Sequence, residues 1–186
     1  MDTGIAGKTE PDHALALRAG DDLEAFGELY RRYQCHIFRF IRSQTPDDAT
    51  AEDLTAHVFF KALSSADTFR ADGSYRAWLF RIAHNTVVSY RKRRDRSLAV
   101  EAPPEEIDPD PSPASQAIAQ EARGVVWEAV AKLPESQREL VALRYMEEMS
   151  MEEIADITQR TKGSIRIQLH RARMNLRGAF EGKDLL

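Results

Sequence analysis

Apolar residues recur along most of this chain at intervals of three and four, which is the spacing of one face of an α-helix. In the N-terminal half this pattern predicts four or five helices. Their expected starting points are Pro11, Asp21 or Asp22, Thr50 in a Thr-x-x-Asp sequence like a capping box, and Ser74. The helix after Ser74 carries the apolar residues Trp78, Leu79, Ile82 and Val88 and ends in a basic run over 91–94.

The spacing in the C-terminal part predicts a helix-turn-helix. Helices over 122–133 and after Pro134 come first. Ser150 and Glu153 form a capping box that starts a short helix, residues 158–160 form the turn, and Thr161 caps a last helix over 162–180. The expected buried stripe of the last helix consists of Ile165, Leu169, Ala172 and Leu176. We therefore expect an all-α fold.

Proline and charge divide the chain into parts. Residues 97–120 contain five of the eight prolines and five acidic residues, but no basic residue. Such a segment buries too little apolar surface to offset its ordering entropy, and its like charges extend it. We predict two small helical domains, over 12–96 and 121–182, joined by a flexible acidic Pro-rich linker. The helix-turn-helix is then the C-terminal domain.

The formal net charge of −4 hides a concentrated positive segment. Six basic residues and no acidic residue lie between Ile157 and Phe180, which is typical of nucleic-acid binding. An α-helix fits the major groove of duplex DNA, and we predict base contacts from Arg166, Ile167, His170 and Arg171. The expected phosphate contacts are Arg160, Lys162, Arg173 and Arg177. A basic helix that only aids solubility is the plainer alternative.

Aromatic and basic residues interleave over 69–94. Bases stack on aromatic rings while cations follow the backbone, so this pattern favours single-stranded DNA. Asn85 is expected to add specificity, because its amide both donates and accepts hydrogen bonds. The predicted DNA contacts are Arg70, Tyr75, Arg76, Trp78, Arg81, Asn85, Arg91 and Arg93. A purely structural role in the core is an equal alternative for Trp78.

Several kinds of protein are not indicated. Cys35 is the only cysteine, which excludes an intramolecular disulfide and fits a cytoplasmic location. The first residues resemble no secretory signal, and no stretch is long and apolar enough to span a membrane. The five histidines lack metal-ligand spacing, and there is no phosphate-binding glycine loop. We expect no metal, no cofactor and no catalytic site.

These patterns resemble one family. The stretch 133–176, with its EEIA helix and its GSIRIQLHRAR helix, is similar to the second conserved domain of extracytoplasmic function (ECF, group IV) sigma factors of bacterial RNA polymerase, in the sigma-70 family. The first conserved domain of that family resembles the stretches GDDLEAFGELYRRY, AEDLTAHVFFKA and FRADGSYRAWLFRIAHNTVVSYRKRR. Together the matches cover about residues 12–95 and 122–180.

The resemblance implies a subunit that binds core RNA polymerase and selects promoters. The C-terminal domain would read the −35 element as duplex, through Lys162, Ser164, Arg166, Ile167, His170, Arg171 and Arg173. The helix that ends in the 91–94 run would capture a −10 base flipped out of the duplex. The helix over 51–63 would dock on the coiled coil of the largest polymerase subunit, through Asp53, Leu54 and Phe59. An ordinary core role is the alternative for Leu54 and Phe59.

Further implications of the resemblance concern other partners. The polymerase flap would contact the C-terminal domain, and the acidic linker would follow the RNA-exit path. The short N-terminus lacks the extra autoinhibitory domain of housekeeping sigma factors, so control by an anti-sigma protein is expected. The polymerase, and not this chain, would form the phosphodiester bonds.

The chain departs from the family pattern in three places. Ala56 and His57 stand where Gln and Glu are common, and Gln159 stands where such turns usually carry Gly. A left-handed Gln159 costs roughly 1 kcal/mol. Ile167 and Gln168 replace small or basic residues, which predicts an uncommon −35 preference with apolar contact.

Two other hypotheses remain open from the sequence. A stand-alone helix-turn-helix regulator explains the C-terminal domain but not the segment 69–94. An enzyme with a DNA-binding tail has no catalytic residues to support it. Binding to core polymerase separates the sigma-factor hypothesis from both.

Overall fold

The computed structural model describes residues 10–70, 73–98 and 129–181, and all regular structure in these ranges is helical. The N-terminal half contains α1 (Asp12–Arg18), α2 (Leu23–Arg42), α3 (Asp48–Ser64), a 3₁₀ turn (Ala66–Thr68) and α4 (Tyr75–Leu98). In the C-terminal part, α5 (Glu135–Val141) continues into a π-helical turn (Ala142–Met146), followed by α6 (Met151–Thr158) and α7 (Lys162–Glu181). The predicted all-α fold with a C-terminal helix-turn-helix is confirmed.

Apolar faces of α2, α3 and α4 form the centre of the N-terminal half. α2 packs against α1 and α3, and α3 packs against α4. The largest side chains here with no exposure are Leu29, Ile37, Phe40, Ile41, Leu79 and Phe80. The rings of Phe40 and Phe80 meet edge to face, with centroids 5.5 Å apart. Burial of these side chains is the main stabilising contribution to the helical group.

Hydrogen bonds to Asp12 hold α1 against α2. Its carboxylate accepts a hydrogen bond of 2.5 Å from Nη1 of Arg32 and another from the hydroxyl of Tyr33. Burial and the bond to Asp12 raise the pKa of Tyr33, so its hydroxyl stays a donor at any physiological pH. The first helix is therefore held by polar contacts as well as by its buried residues Leu15 and Ala16.

The start of α3 differs from the prediction. Thr50 was expected to open this helix, but Asp47 is the N-cap residue. The Asp47 carboxylate accepts hydrogen bonds from the Thr50 amide, at 2.7 Å, and from the Thr50 hydroxyl, at 2.9 Å. A carboxylate is a better cap than a threonine three residues later, so the Thr-x-x-Asp pattern was misleading. The cap predicted at Asp22 is present, since it accepts from the amides of Glu24 and Ala25.

The helix-turn-helix forms as predicted. Ser150 and Glu153 make a complete capping box at the start of α6. The Thr161 hydroxyl accepts from the Ser164 amide, at 3.2 Å, at the start of α7. Ile165, Leu169 and Ala172 are buried, and Leu176 is partly buried against the same core. The predicted stripe of α7 is thus the face that packs on the rest of the domain.

Gln159 adopts the left-handed conformation, with φ 55° and ψ 31°, whose energetic cost was considered from the sequence. Gln159→Gly is expected to raise the free energy of unfolding by about 1 kcal/mol, because glycine has no Cβ penalty there. Urea denaturation measures the change. Gln159→Ala is the matched control, since it also loses the exposed hydrogen bond from Gln159 to the Asp156 carbonyl. Equal stability of the two variants would contradict the assignment of strain to this residue.

The two helical groups share one continuous hydrophobic core in the described residues. α4 packs on α6, and α2 contacts the π-helical turn. α4 also extends through Leu98, past the predicted domain boundary at residue 96. The rest of the predicted linker, over 99–120, lies outside the described residues. Of the predicted helix over 122–133, only 129–133 are described, and 129–131 are helical.

Candidate nucleic-acid interface

The outer face of α7 is a row of exposed side chains. Arg166, Ile167, His170, Arg171 and Arg173 are all exposed, and Ile167 keeps 55% of its surface accessible. Ser164 is exposed in the first turn of the helix. This places the predicted −35 residues on one accessible surface of a helix that can enter a major groove.

Two of the predicted phosphate contacts near α7 are paired within the protein. Nζ of Lys162 bonds the Glu152 carboxylate, and this bond lowers the pKa of Glu152. Nη2 of Arg160 lies 3.3 Å from Oε2 of Glu139. Glu139 is buried, so Arg160 anchors the turn onto α5 in this structure. The exposed Lys162 pair is weak enough to exchange for a phosphate, whereas Arg160 has a structural partner.

A cleft of about 540 Å³ lies beside the first half of α4. On one side it is lined by Arg70, Trp78, Arg81 and Asn85, four of the residues predicted to contact the −10 strand. Arg81 and Asn85 are exposed, and Trp78 is half-buried. Glu153 and Asp156, from α6, line the opposite side. The structure thus brings an indole ring, a guanidinium and an amide together around a space large enough for a base.

Tyr75 lies in the core and not in this cleft. It is 4% exposed, and its ring meets Tyr33 and Phe69 edge to face at 5.6 and 5.7 Å. Burial raises the pKa of Tyr75. In this structure its ring supports Trp78, whose centroid is 5.6 Å away, and is not a surface for stacking a base. The sequence pattern did not separate the two rings, because both lie at the start of the same helix.

Two further predicted contacts, Arg76 and Arg91, have acidic or amide partners. Nη2 of Arg76 lies 3.5 Å from Oε2 of Glu147. Nη2 of Arg91 donates to Gln44, and its Nε lies 3.6 Å from Oε2 of Glu135. Arg93 is exposed. Some of the expected DNA-binding cations are therefore engaged by carboxylates of the C-terminal part.

The residues of α3 predicted to contact the polymerase differ in their exposure to solvent. Asp53 is exposed, whereas Leu54 and Phe59 are 7% and 3% exposed and belong to the core. Phe60, which the sequence analysis missed, is 67% exposed. Asp53, His57 and Phe60 follow one another at intervals of four and three, so they share one face of the helix. That spacing was the signal available in the sequence.

Two other sequence predictions concern metals and membranes. Among the described residues, no group of three or more His, Cys, Asp or Glu side chains is placed to hold a metal ion. Within the same ranges, no helix combines the length and the apolar character needed to cross a membrane.

Comparison with known proteins gives the family. Residues 29–97 match sigma-70 region 2, and residues 123–176 match sigma-70 region 4. The ECF RNA polymerase sigma-E factor of Escherichia coli (strain K12) is 32% identical over 162 residues, covering 82% of this chain and 84% of that protein. The ECF RNA polymerase sigma factor BldN of Streptomyces coelicolor is 32% identical over 155 residues, covering 81% of this chain but only 58% of BldN.

Solved structures agree with this assignment. CnrH, in complex with the cytosolic domain of CnrY, has a TM-score of 0.69 at 26% identity, covering 92% of this chain and 97% of CnrH. The sigma factor RpoE from Bartonella quintana, in complex with the anti-sigma factor NepR, has a TM-score of 0.71 at 25% identity, covering 84% of this chain and 96% of RpoE. The chain therefore belongs to the ECF sigma factors, with region 2 in its N-terminal half and region 4 in its C-terminal part.

Proposed function

We propose that this protein binds core RNA polymerase and directs initiation at specific promoters, with region 4 on the −35 element and region 2 on the −10 element. The observation that carries the proposal is the presence, on one chain, of an exposed basic recognition helix and a cleft with aromatic, amide and cationic walls. The chain acts in the cytoplasm and catalyses no step itself. The core enzyme supplies the chemistry.

The −35 contacts follow from the exposed face of α7. Arg166 and Arg171 offer guanidinium groups that bond guanine at two atoms, and Ile167 offers an apolar contact to a thymine methyl group. Arg173 and Lys162 contact phosphates, which position the helix without reading sequence. The exposed isoleucine supports a −35 preference that includes an apolar contact.

The −10 contacts are assigned to the cleft beside α4. Trp78 stacks a base on the exposed part of its ring, and Asn85 reads the polar edge of that base. Arg81, and Arg93 further along α4, follow the phosphates. Flipping a base costs a few kcal/mol, so stacking and hydrogen bonding in the cleft must offset that cost.

Polymerase binding is assigned to the exposed face of α3. Phe60 has the size and exposure of an interface anchor, and Asp53 adds a charge on the same face of the helix. Leu54 and Phe59 act through the shape of the helix, because they are buried. Region 4 contacts the polymerase flap, and the acidic segment 97–120 follows the RNA-exit path.

An anti-sigma protein is the proposed regulator. The support is the structural likeness to RpoE of Bartonella quintana, which was solved with an anti-sigma factor. Co-purification of this chain with a co-expressed candidate regulator, and loss of transcription when that regulator is added, tests this part of the proposal.

Reconstitution with core polymerase tests the function itself. We expect this chain to form a complex with core enzyme and to start transcripts at a cognate promoter, whereas the free chain does not open DNA. A stand-alone regulator would instead bind duplex operator tightly without polymerase. Failure to bind core enzyme or to direct initiation would overturn the proposal.

Asn85→Ala tests the −10 assignment. Loss of one or two hydrogen bonds to the captured base is expected to reduce promoter opening about tenfold. Potassium permanganate footprinting of the melted region measures opening, and a binding assay measures affinity for core enzyme, which stays unchanged. Asn175→Ala is the matched control, because Asn175 lies on α7 and bonds Gln137 instead of lining the cleft. Equal opening by the two variants would remove Asn85 from the site.

A further inference from the structure

The region 2 helix assigned to the −10 strand is also the surface on which region 4 rests. α4 packs against α6. Trp78 and Ile82 of α4, with Met151 and Ala155 of α6, are partly buried against the shared core. The cleft that contains Asn85 therefore has one wall from each region. Any strand entering the cleft must pass beside α6.

The region 4 side of this contact is acidic. Glu153 and Asp156 line the cleft opposite Arg81 and Asn85. Both acidic residues line the same cleft as the residues assigned to the −10 strand. Carboxylates and phosphates carry like charges and repel each other at short range. The wall formed by α6 therefore opposes DNA by both position and charge.

Glu147 is the strongest polar contact between the two regions. Its side chain has no exposure, and it faces three cationic or titratable groups of region 2. His36 Nδ1 lies 2.7 Å from its Oε2, and Arg39 Nη2 lies 3.3 Å from its Oε1. Arg76, a predicted −10 contact, bonds both its carbonyl and its carboxylate. Neutralising this buried carboxylate while its cationic partners remain leaves their charge uncompensated, which destabilises the contact between the two regions.

Two more glutamates of region 4, one buried and one half-exposed, also contact titratable or cationic groups of α4. Glu139 is 1% exposed, and its Oε1 lies 2.5 Å from Nδ1 of His84 in α4. Glu135 bonds Nη2 of Arg94 at 3.2 Å and lies 3.6 Å from Arg91. Region 4 thus presents carboxylates to α4, while its basic helix α7 faces outward with its DNA-reading residues exposed.

We infer that the free protein is autoinhibited: region 4 uses its acidic face to cover the −10 surface of its own region 2, while its −35 helix stays accessible. This rests on the proposed assignment of α4 to the −10 strand. The closed form binds −35 duplex but not the −10 strand. Capture of the −10 strand requires the two regions to separate, which exposes Glu147 to water and frees Arg76.

The closed form is measured by energy transfer between dyes on the full chain. Cys35 is exposed on region 2 and is the only cysteine, so it takes one dye. Gly178→Cys takes the other, because a side chain at this position of α7 meets no atom within 4 Å. Glu147→Gln removes the central charge and is expected to lower transfer. Glu148→Gln is the matched control, because this neighbouring glutamate is exposed and the substitution changes net charge equally.

Binding of a fluorescent −10 single strand is the second readout. If the open form is a tenth of the wild-type population, Glu147→Gln is expected to bind the strand about tenfold more tightly. Affinity for −35 duplex stays unchanged in both variants, which also shows that region 4 remains folded. Arg39→Gln removes one of the region 2 cations that contact Glu147. It is also expected to lower energy transfer and to raise strand affinity.

The outcomes separate this inference from the proposed function. Autoinhibition is supported if strand affinity rises and energy transfer falls in Glu147→Gln and Arg39→Gln but not in Glu148→Gln. This result would stand even if no complex with core polymerase forms. Equal transfer and equal strand affinity in all three would overturn it. If Glu147→Gln loses −35 binding through misfolding, the result for Arg39→Gln decides.

Discussion

Phe80→Ala is expected to lower the free energy of unfolding by about 3–5 kcal/mol. Phe80 has no exposure, and its ring packs edge to face on Phe40. Removal of a buried ring loses its transfer free energy and leaves a cavity that α2 and α4 cannot fully close. Urea denaturation followed by far-ultraviolet circular dichroism measures the change. The loss is a large fraction of the stability of a chain of this size.

Phe60→Ala is the control, because it makes the same substitution at an exposed position of the neighbouring helix α3. Phe60 is 67% exposed, so its effect on unfolding is expected to stay within about 0.5 kcal/mol. Phe60→Ala is expected instead to lower the affinity for core polymerase, because Phe60 is the proposed interface anchor. A loss of stability in Phe60→Ala as large as in Phe80→Ala would contradict the burial on which both expectations rest.

The regular features of the fold were predictable from the sequence. The positions of α2, α6 and α7 follow from hydrophobic spacing together with short capping signals, such as the box formed by Ser150 and Glu153. The exposed face of α7 also follows, because one side of that helix is apolar and the other is basic. Periodicity identifies a surface reliably when a helix has only one buried face.

α4 is the helix whose pattern is ambiguous, because it contacts two groups of helices. Leu79 and Phe80 face the region 2 core, whereas Trp78 and Ile82 lie on the side toward region 4. A helix with apolar residues on both sides gives no single stripe. The apolar pattern therefore groups Trp78 with Leu79, gives no signal for Phe80, and leaves the buried Tyr75 among the predicted DNA contacts.

The same limit applies to α3, where a core position was the open alternative for Leu54 and Phe59. Leu54 and Phe59 were expected to touch the polymerase, but they point inward, whereas Phe60 is the exposed aromatic residue. Hydrophobic spacing also does not indicate which charged residues are buried. The sequence gives no sign that Glu139 and Glu147 are buried, since glutamate is rarely buried unless it is paired. Their partners in region 2 lie in α2 and α4, more than fifty residues earlier in the chain.

Arg166→Ala is expected to weaken binding of the cognate −35 duplex by about 1–3 kcal/mol, or about 5- to 150-fold. Arg166 is exposed in the second turn of α7, the part of a recognition helix that reaches base edges. Arg173→Ala is the matched control, because Arg173 lies two turns further along the same face. It is expected to weaken all duplexes about equally and to lower the slope of affinity against salt by about 1. Fluorescence anisotropy with single-base variants of the element, at several salt concentrations, distinguishes the two. Uniform weakening by Arg166→Ala across those variants would make it a phosphate contact and leave base reading to Ile167, His170 and Arg171.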